Sequence, residues 1–242
     1  MCTVSWLYES GAYHVLFNRD EQLARPTARP PELKRADGQV AYLAPTDPGP
    51  GGTWIATNQS ALTICLLNAP ARDNRSHRIS RGHLVSEWAG AASAAEVLGG
   101  NYDLRPFAPF SLLAIDLAGH TTIAHWDGTE LKRQVGAATS GMLTSSSLDH
   151  ALANARRQQL RAAFQRRRQP WDCAALFEFH CSHGDGERAF SPCMHRPGAE
   201  TVSFSWIEAR ADRTSFLYSP GPPCQWAAGH RTEIDTRRVI AQ

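Results

Sequence analysis

The chain has 242 residues, enough for one large domain or two small ones. Its 42% hydrophobic and 20% charged residues form an ordinary globular mixture, which excludes disorder throughout. Lys and Arg total 25 against 23 Asp and Glu, and a net charge of +2 argues against a nucleic-acid or membrane partner. No stretch reaches the ~18 apolar residues of a membrane span. The opening MCTVSWLYES has no basic leader and meets Glu9 at once, unlike a signal peptide. A cytoplasmic protein is expected, with its six cysteines held mostly as reduced thiols.

Taken in chain order, residues 2–8 and 13–20 are rich in β-branched and aromatic side chains around a Glu9-Ser10-Gly11-Ala12 turn, which predicts a β-hairpin. The Pro- and Arg-rich stretch 25–34 reads as loop, 40–43 as a short strand, and 45–52 (PTDPGPGG) as a strong break. Strands are predicted at 53–57 and 61–68, joined by a tight turn at Asn58-Gln59-Ser60. A helix is predicted over 80–98, with Ser80 as cap and Gly99-Gly100 as stop. Strands return at 110–117, 121–126 and 130–135. A Ser- and Thr-rich loop over 136–147 precedes a helix over 148–168, and 171–180 reads as a shorter one. A hairpin of 200–209 and 214–218 ends the patterned region.

The short connections between strands predict antiparallel pairing. Two antiparallel sheets with helices outside them, an α+β four-layer α/β/β/α sandwich, would bury this order of elements. Residues 1–220 are expected to form a single domain, with 221–242 as a tail left open.

The chemistry concentrates at the amino terminus. Cys is small enough for removal of Met1, after which Cys2 carries both a thiol and a free α-amine. The amine titrates near ~7.7–8.0 and the thiol near ~8.5, so one residue supplies nucleophile and proton acceptor. Hairpin pairing would bring Arg19 and Asp20 close to Cys2, with Arg19 lowering the thiol's pKa and Asp20 accepting from the amine. Against this stands the plainer reading of a small buried cysteine and a strand end.

Ordered motifs add to Cys2. Met1-Cys2-Thr3, Phe17-Asn18-Arg19-Asp20-Glu21, Arg25-Pro26, Gly51-Gly52-Thr53-Trp54-Ile55, Asn58, Cys65-Leu66-Leu67-Asn68 and Ser80-Arg81-Gly82-His83-Leu84-Val85 together resemble the NRDE family. That family is named for the tetrapeptide at 18–21 and includes transport and Golgi organisation protein 2. A looser likeness runs to about residue 218 through Leu143-Thr144-Ser145, Cys193-Met194-His195-Arg196 and Thr201-Val202-Ser203. The resemblance implies an amino-terminal-nucleophile hydrolase fold akin to penicillin V acylase and bile salt hydrolase. It further implies Cys2 as nucleophile and base, Arg19 as support for thiolate or substrate, Asp20 as orienter of the amine, and Asn68 as an oxyanion donor. Asn18, Trp54, Ser145 and Arg157 are the substrate-binding candidates it suggests, with Arg161 an alternative to Arg157. Ser145 departs from the family pattern, because the hydrolases have an Asn after the Thr; losing one oxyanion donor typically costs ~10²–10³ in rate.

Other patterns are weaker. Three cysteines and three histidines lie between Cys173 and Cys193-Met194-His195. Cys-x-His occurs twice, twelve residues apart, and could hold zinc or touch haem iron; the spacing is not a standard zinc pattern, and a loop with a few buried thiols and no metal is the favoured reading. Residues 48–52 lack the Lys-Ser/Thr of a phosphate loop, so their glycines are read as allowing close approach to the Cys2 pocket. Trp6, Tyr8, Trp54 and Trp126 read first as core.

Two functions follow. One is an N-terminal cysteine amidohydrolase acting on a small or non-peptide amide through an acyl-enzyme. The other is a non-catalytic carrier of haem or a lipid-like ligand engaged in trafficking, as the resemblance suggests. In both a small molecule is the partner, and the oligomeric state is left open.

Overall fold

The computed structural model describes residues 2–36, 40–49, 51–70, 79–137, 139–226 and 229–236. Met1, Pro50, Ala138 and the tail residues 237–242 lie outside the described residues. The hairpin forms as β1 (Cys2–Glu9) and β2 (Ala12–Gln22), turning at Ser10-Gly11 with Gly11 at φ +72°. That left-handed backbone is one glycine adopts without strain. The chain continues through β3 (Arg29–Ala36), β4 (Val40–Thr46), β5 (Ile55–Asn58), β6 (Leu62–Asn68), α1 (Gly82–Trp88), β7 (Phe110–Asp116), β8 (Thr121–Trp126), β9 (Leu131–Gly136) and β10 (Ser140–Ser145). Then follow α2 (His150–Arg167), α3 (Cys173–Cys181), β11 (His195–Arg196), β12 (Ala199–Arg210), β13 (Arg213–Pro220) and β14 (His230–Asp235).

The strands make two antiparallel sheets. One has the order β10-β1-β2-β12-β13-β14, with β11 paired to β12; the other runs β3 to β9 in chain order. Strand alternation then sets the layers. Val4, Trp6, Tyr13, Val15 and Phe17 point towards Leu43, Ile55, Cys65, Leu67, Leu113 and Ile115, forming the core between the sheets. Leu7, Leu16 and Phe204, on the opposite face, pack against Leu176 and Phe179 of α3. Behind the second sheet, Ile64, Leu66, Leu112 and Ala114 meet Leu84 and Val85 of α1. The result is the expected four-layer sandwich of two antiparallel sheets with helices outside.

Three segments differ from their sequence patterns, and the stretch left open after residue 220 gains a strand. The stretch read as loop at 25–34 contains most of β3, despite Pro30-Pro31. Those prolines are tolerated because β3 is an edge strand, and its pairing with β4 skips register between Arg29 and Glu32. The helix expected over 80–98 ends at Trp88. Beyond it, Asn58 Nδ2 donates to Ala89 O and Ala91 O at 2.9 and 2.8 Å, and Ala94 N donates to Asp116 Oδ2 at 2.8 Å. These tertiary bonds take backbone groups that a longer helix would need. Ser80 is not its cap either; Arg81 occupies that place without a side-chain bond. The Ser- and Thr-rich loop at 136–147 holds β10, whose small residues fit beside β1: a Cβ on Gly141 would lie 2.1 Å from the Trp6 indole. Finally, β14 adds an edge strand beside β13.

The two helices behind the first sheet start at aspartates. Asp149 Oδ1 accepts from Leu152 N and Asp172 Oδ1 from Ala175 N, both at 2.8 Å. Ala153, Arg157, Leu160 and Phe164 form the inward stripe of α2. From α3, His180 is fully buried against β2. Asn18 Nδ2 donates to His180 O and Pro192 O, which leaves Asn18 Oδ1 to accept from His180 Nδ1 at 3.0 Å. The other ring nitrogen, Nε2, is enclosed with no hydrogen-bond partner among the described residues, and burial pulls the His180 pKa down to about 3.

In the unfolded chain His180 takes up a proton below its ordinary ~6.5, whereas in the fold it does so only near 3. Stability should therefore be full above about pH 6.5 and drop as the pH is lowered through that window, because the unfolded chain binds the proton that the fold refuses. Urea unfolding at several pH values, with His180→Gln as comparison, should show the slope reduced in the variant.

Candidate functional site

Cys2 heads a strand flanked on both sides. Its β2 neighbour in register is Arg19 and its β10 neighbour is Ser145. The Cys2 N–H donates to Ser145 Oγ at 3.0 Å. The same nitrogen would be the α-amine once Met1 is removed. Because neighbours across a sheet share a face, Cys2 and Arg19 both point between the sheets, while Asn18 and Asp20 point to the helix layer.

On the inter-sheet side, Arg19 is held by Asp47. Its Nη2 lies 2.9 Å from Asp47 Oδ2, and its guanidinium stacks 4.3 Å from the Trp54 ring centroid. Arg25 reaches the same Asp47 oxygen at 2.7 Å and Glu21 Oε2 at 3.2 Å. Asp47 also organises the Pro- and Gly-rich turn, accepting from Gly49 N on Oδ1 and from Gly51 N on its carbonyl. The turn continues to Gly52, whose Cα meets Gly82 so closely that a Cβ would fall 2.7 Å from the Gly82 carbonyl carbon. Only glycine permits that approach. It brings Thr53, Trp54, Ser80 and Arg81 to one rim.

On the helix side, Arg157 is completely buried. Its Nη2 lies 3.4 Å from Asp20 Oδ2, its Nη1 donates to Cys2 O at 3.3 Å, Ser145 O at 3.4 Å and Thr144 Oγ1, and its Nε donates to Phe190 O and Ser191 O. Asp20 Oδ1 accepts from Thr201 Oγ1 at 2.6 Å. That contact is made possible by an irregularity of β12 between Thr201 and Ser203, directly opposite Asp20 and Arg19.

A pocket of about 130 Å³ opens at Cys2, bordered by Arg19, Asp20, Trp54, Asn68 and Arg81. It adjoins a wider groove of about 790 Å³ past Asn68, Arg81, Ser145, His150, Met194 and Arg196. Burial raises the Cys2 thiol pKa; the positive charge of Arg19 and the Asp20 backbone N–H act against that rise. A thiol protonated at neutral pH needs a base at hand before it attacks a carbonyl.

Of the expected residues, Cys2, Arg19, Asp20, Trp54, Asn68 and Ser145 border this pocket or groove. Trp54, read first as core, is also the platform for Arg19. Arg157 lies behind the pocket, bound to Cys2 O and Asp20, where a substrate does not reach it. Arg161 is further along α2, with Nη2 on Ser140 Oγ at 3.3 Å. Asn18, expected among the substrate-binding residues, borders neither cavity, because strand parity turns it to His180 and the 192 carbonyl. The sequence pattern does not single out Asp47 or Arg81. Asp47 had a signal in its Asp-Pro-Gly setting, where the carboxylate commonly caps a turn; Arg81 had only its place in a motif.

The model of the family described as Transport and Golgi organisation 2 matches residues 1–183. The chain belongs to this family. No curated protein matches its sequence. Among solved structures, a C2A mutant of conjugated bile acid hydrolase from Clostridium perfringens superposes with a TM-score of 0.57 at 13% identity, over 98% of this chain and 93% of the other. Penicillin V acylase from Agrobacterium tumefaciens gives 0.51 at 13% identity, over 97% and 86%. The Caenorhabditis elegans ortholog of N-acylethanolamine-hydrolyzing acid amidase gives 0.57 at 9% identity, over 86% and 92%. At such identities the likeness is one of fold: the family member has the amino-terminal-nucleophile hydrolase architecture.

Removing Arg157 would leave the Asp20 carboxylate buried without its counter-charge. Arg157→Met should therefore lower the unfolding free energy by about 3–5 kcal/mol, read by urea denaturation at neutral pH. A loss below about 1 kcal/mol, typical of an exposed pair, would contradict this role.

Proposed function

We propose that the protein is an N-terminal cysteine amidohydrolase acting on a small or non-peptide amide. The observation that carries this reading is the position of Cys2: its nitrogen is held 3.0 Å from Ser145 Oγ, while its side chain borders a pocket shared with Arg19 and Asn68. With Met1 removed, the α-amine takes the thiol proton as sulfur attacks the amide carbon. Asn68 donates to the developing oxyanion. The proton then passes to the leaving nitrogen, the C–N bond breaks, and a thioester remains on Cys2. Water, deprotonated by the same amine, attacks the thioester, releases the acid and restores the thiol.

Ser145 keeps its hydroxyl hydrogen for donation while its oxygen serves the nucleophile's nitrogen. Its oxygen accepts from the Cys2 nitrogen, so it orients the base. Asp20 and Arg157 support this arrangement from behind, through Cys2 O and Ser145 O. The small volume at the thiol suits a compact group carrying the carbonyl, with the rest of the substrate along the mixed-charge groove.

The test uses protein whose intact mass shows Met1 removed, assayed on a panel of fluorogenic acyl amides. Turnover is expected, with acyl adducts on the amino-terminal peptide after acid quench. Cys2→Ala should abolish both, and Asn68→Ala should lower kcat by ~10²–10³. Neither turnover nor adduct from such protein would sink the hydrolase reading and favour the carrier, for which a saturable Soret shift on haem titration is the corresponding sign.

A further inference from the structure

Away from Cys2, four side chains from three separate segments converge on one point. His183 follows α3, Cys193 and His195 flank Met194 at β11, and Cys224 lies in the short 3-10 turn Pro223–Gln225. One ligand atom from each lies within 4.8 Å of every other. His195 Nε2 is 3.5 Å from Cys193 Sγ and 3.4 Å from Cys224 Sγ. The His183 and His195 rings are 5.1 Å apart, centroid to centroid.

We propose that His183, Cys193, His195 and Cys224 bind one structural zinc ion. Tetrahedral bonds of ~2.3 Å to sulfur and ~2.0 Å to nitrogen would set each sulfur about 3.5 Å from each nitrogen, which is the spacing His195 keeps to both cysteines. Two independent features support a ligand at this point. His183 Nε2 is enclosed with no hydrogen-bond partner among the described residues. His195 Nδ1 sits 3.4 Å from Glu200 Oε2, the arrangement in which a carboxylate orients a histidine whose other nitrogen meets a metal. A set of two thiolates and two imidazoles, close enough together for one four-coordinate ion, selects zinc among common ions. A two-iron cluster with the same ligand types would put the cysteines on one iron and the histidines on the other; here one histidine nitrogen touches both sulfurs. Four protein ligands leave no open position, so the site is structural.

The ion clips the turn at 223–225 onto the loop that runs from α3 to β11. That loop supplies Phe190 O and Ser191 O to Arg157 and Pro192 O to Asn18, and its Met194 backbone bonds Thr201, the partner of Asp20. Zinc thus fastens the rear wall of the Cys2 site without touching it.

The full chain, purified under reducing conditions without chelator, should carry one equivalent of zinc by elemental analysis. Reconstitution with Co²⁺ should give the visible bands of a tetrahedral site with thiolate charge transfer. Cys224→Ser, in an exposed turn, and Cys193→Ser should each lose the metal and the spectrum, while Cys173→Ser keeps both. Absence of zinc together with no Co²⁺ spectrum, iron in place of zinc, a Cys193–Cys224 disulfide in peptides mapped without reductant, or loss of metal only in Cys173→Ser would each overturn the assignment.

Discussion

The buried guanidinium of Arg157 is the constraint on which the site depends. A charge taken wholly out of water is tolerated only when every donor finds an acceptor and an opposite charge lies near. Here the acceptors come from β1, β10, the 190–191 loop and the Asp20 carboxylate of β2. Satisfying one side chain therefore fixes the spacing of four segments. Two of those acceptors are the carbonyls of Cys2 and Ser145, so the same bonds set where the Cys2 nitrogen and Ser145 hydroxyl meet.

Strand parity then divides the labour of adjacent residues. Arg19 and Asp20 are neighbours in sequence, yet they work on opposite faces of one sheet. Arg19 joins Trp54, Asp47 and the glycine turn at the mouth of the pocket; Asp20 joins Arg157 and Thr201 behind it. Asn18 shares the rear face with Asp20 and ties β2 to α3 through His180. The front is lined by ionic groups partly open to solvent, while the rear is buried and closed by hydrogen bonds. Cys2 is thus backed by buried, hydrogen-bonded side chains and opens towards the groove.

Much of this was legible in the amino-acid order. The first hairpin, the antiparallel strands around 55–68 and 110–135, the two helices starting at Asp149 and Asp172, and the pairing of Cys2 with Arg19 all arise from local preferences and short connections. Alternation and turn chemistry act over a few residues, so they can be read from a few residues. Where local pattern misled, a distant partner had intervened: Asn58 and Asp116 end α1, Trp6 accepts Gly141 and draws a Ser-Thr stretch into β10, and an edge position admits Pro30-Pro31 into β3.

By itself, then, the sequence determined the sandwich class and the family, and it singled out Cys2 as the candidate centre of the proposed chemistry. Only the tertiary structure decided what stands around that residue. Ser145 meets the Cys2 nitrogen because β10 returns beside β1, and Arg157 becomes a buried support because α2 lies across their ends. His183, Cys193 and His195 belong to the Cys- and His-rich stretch visible in the sequence, but Cys224, which completes the group, lies far from it in the chain. Such contacts join residues more than a hundred positions apart, or three separate turns, and depend on how the layers stack. No local preference encodes that stacking.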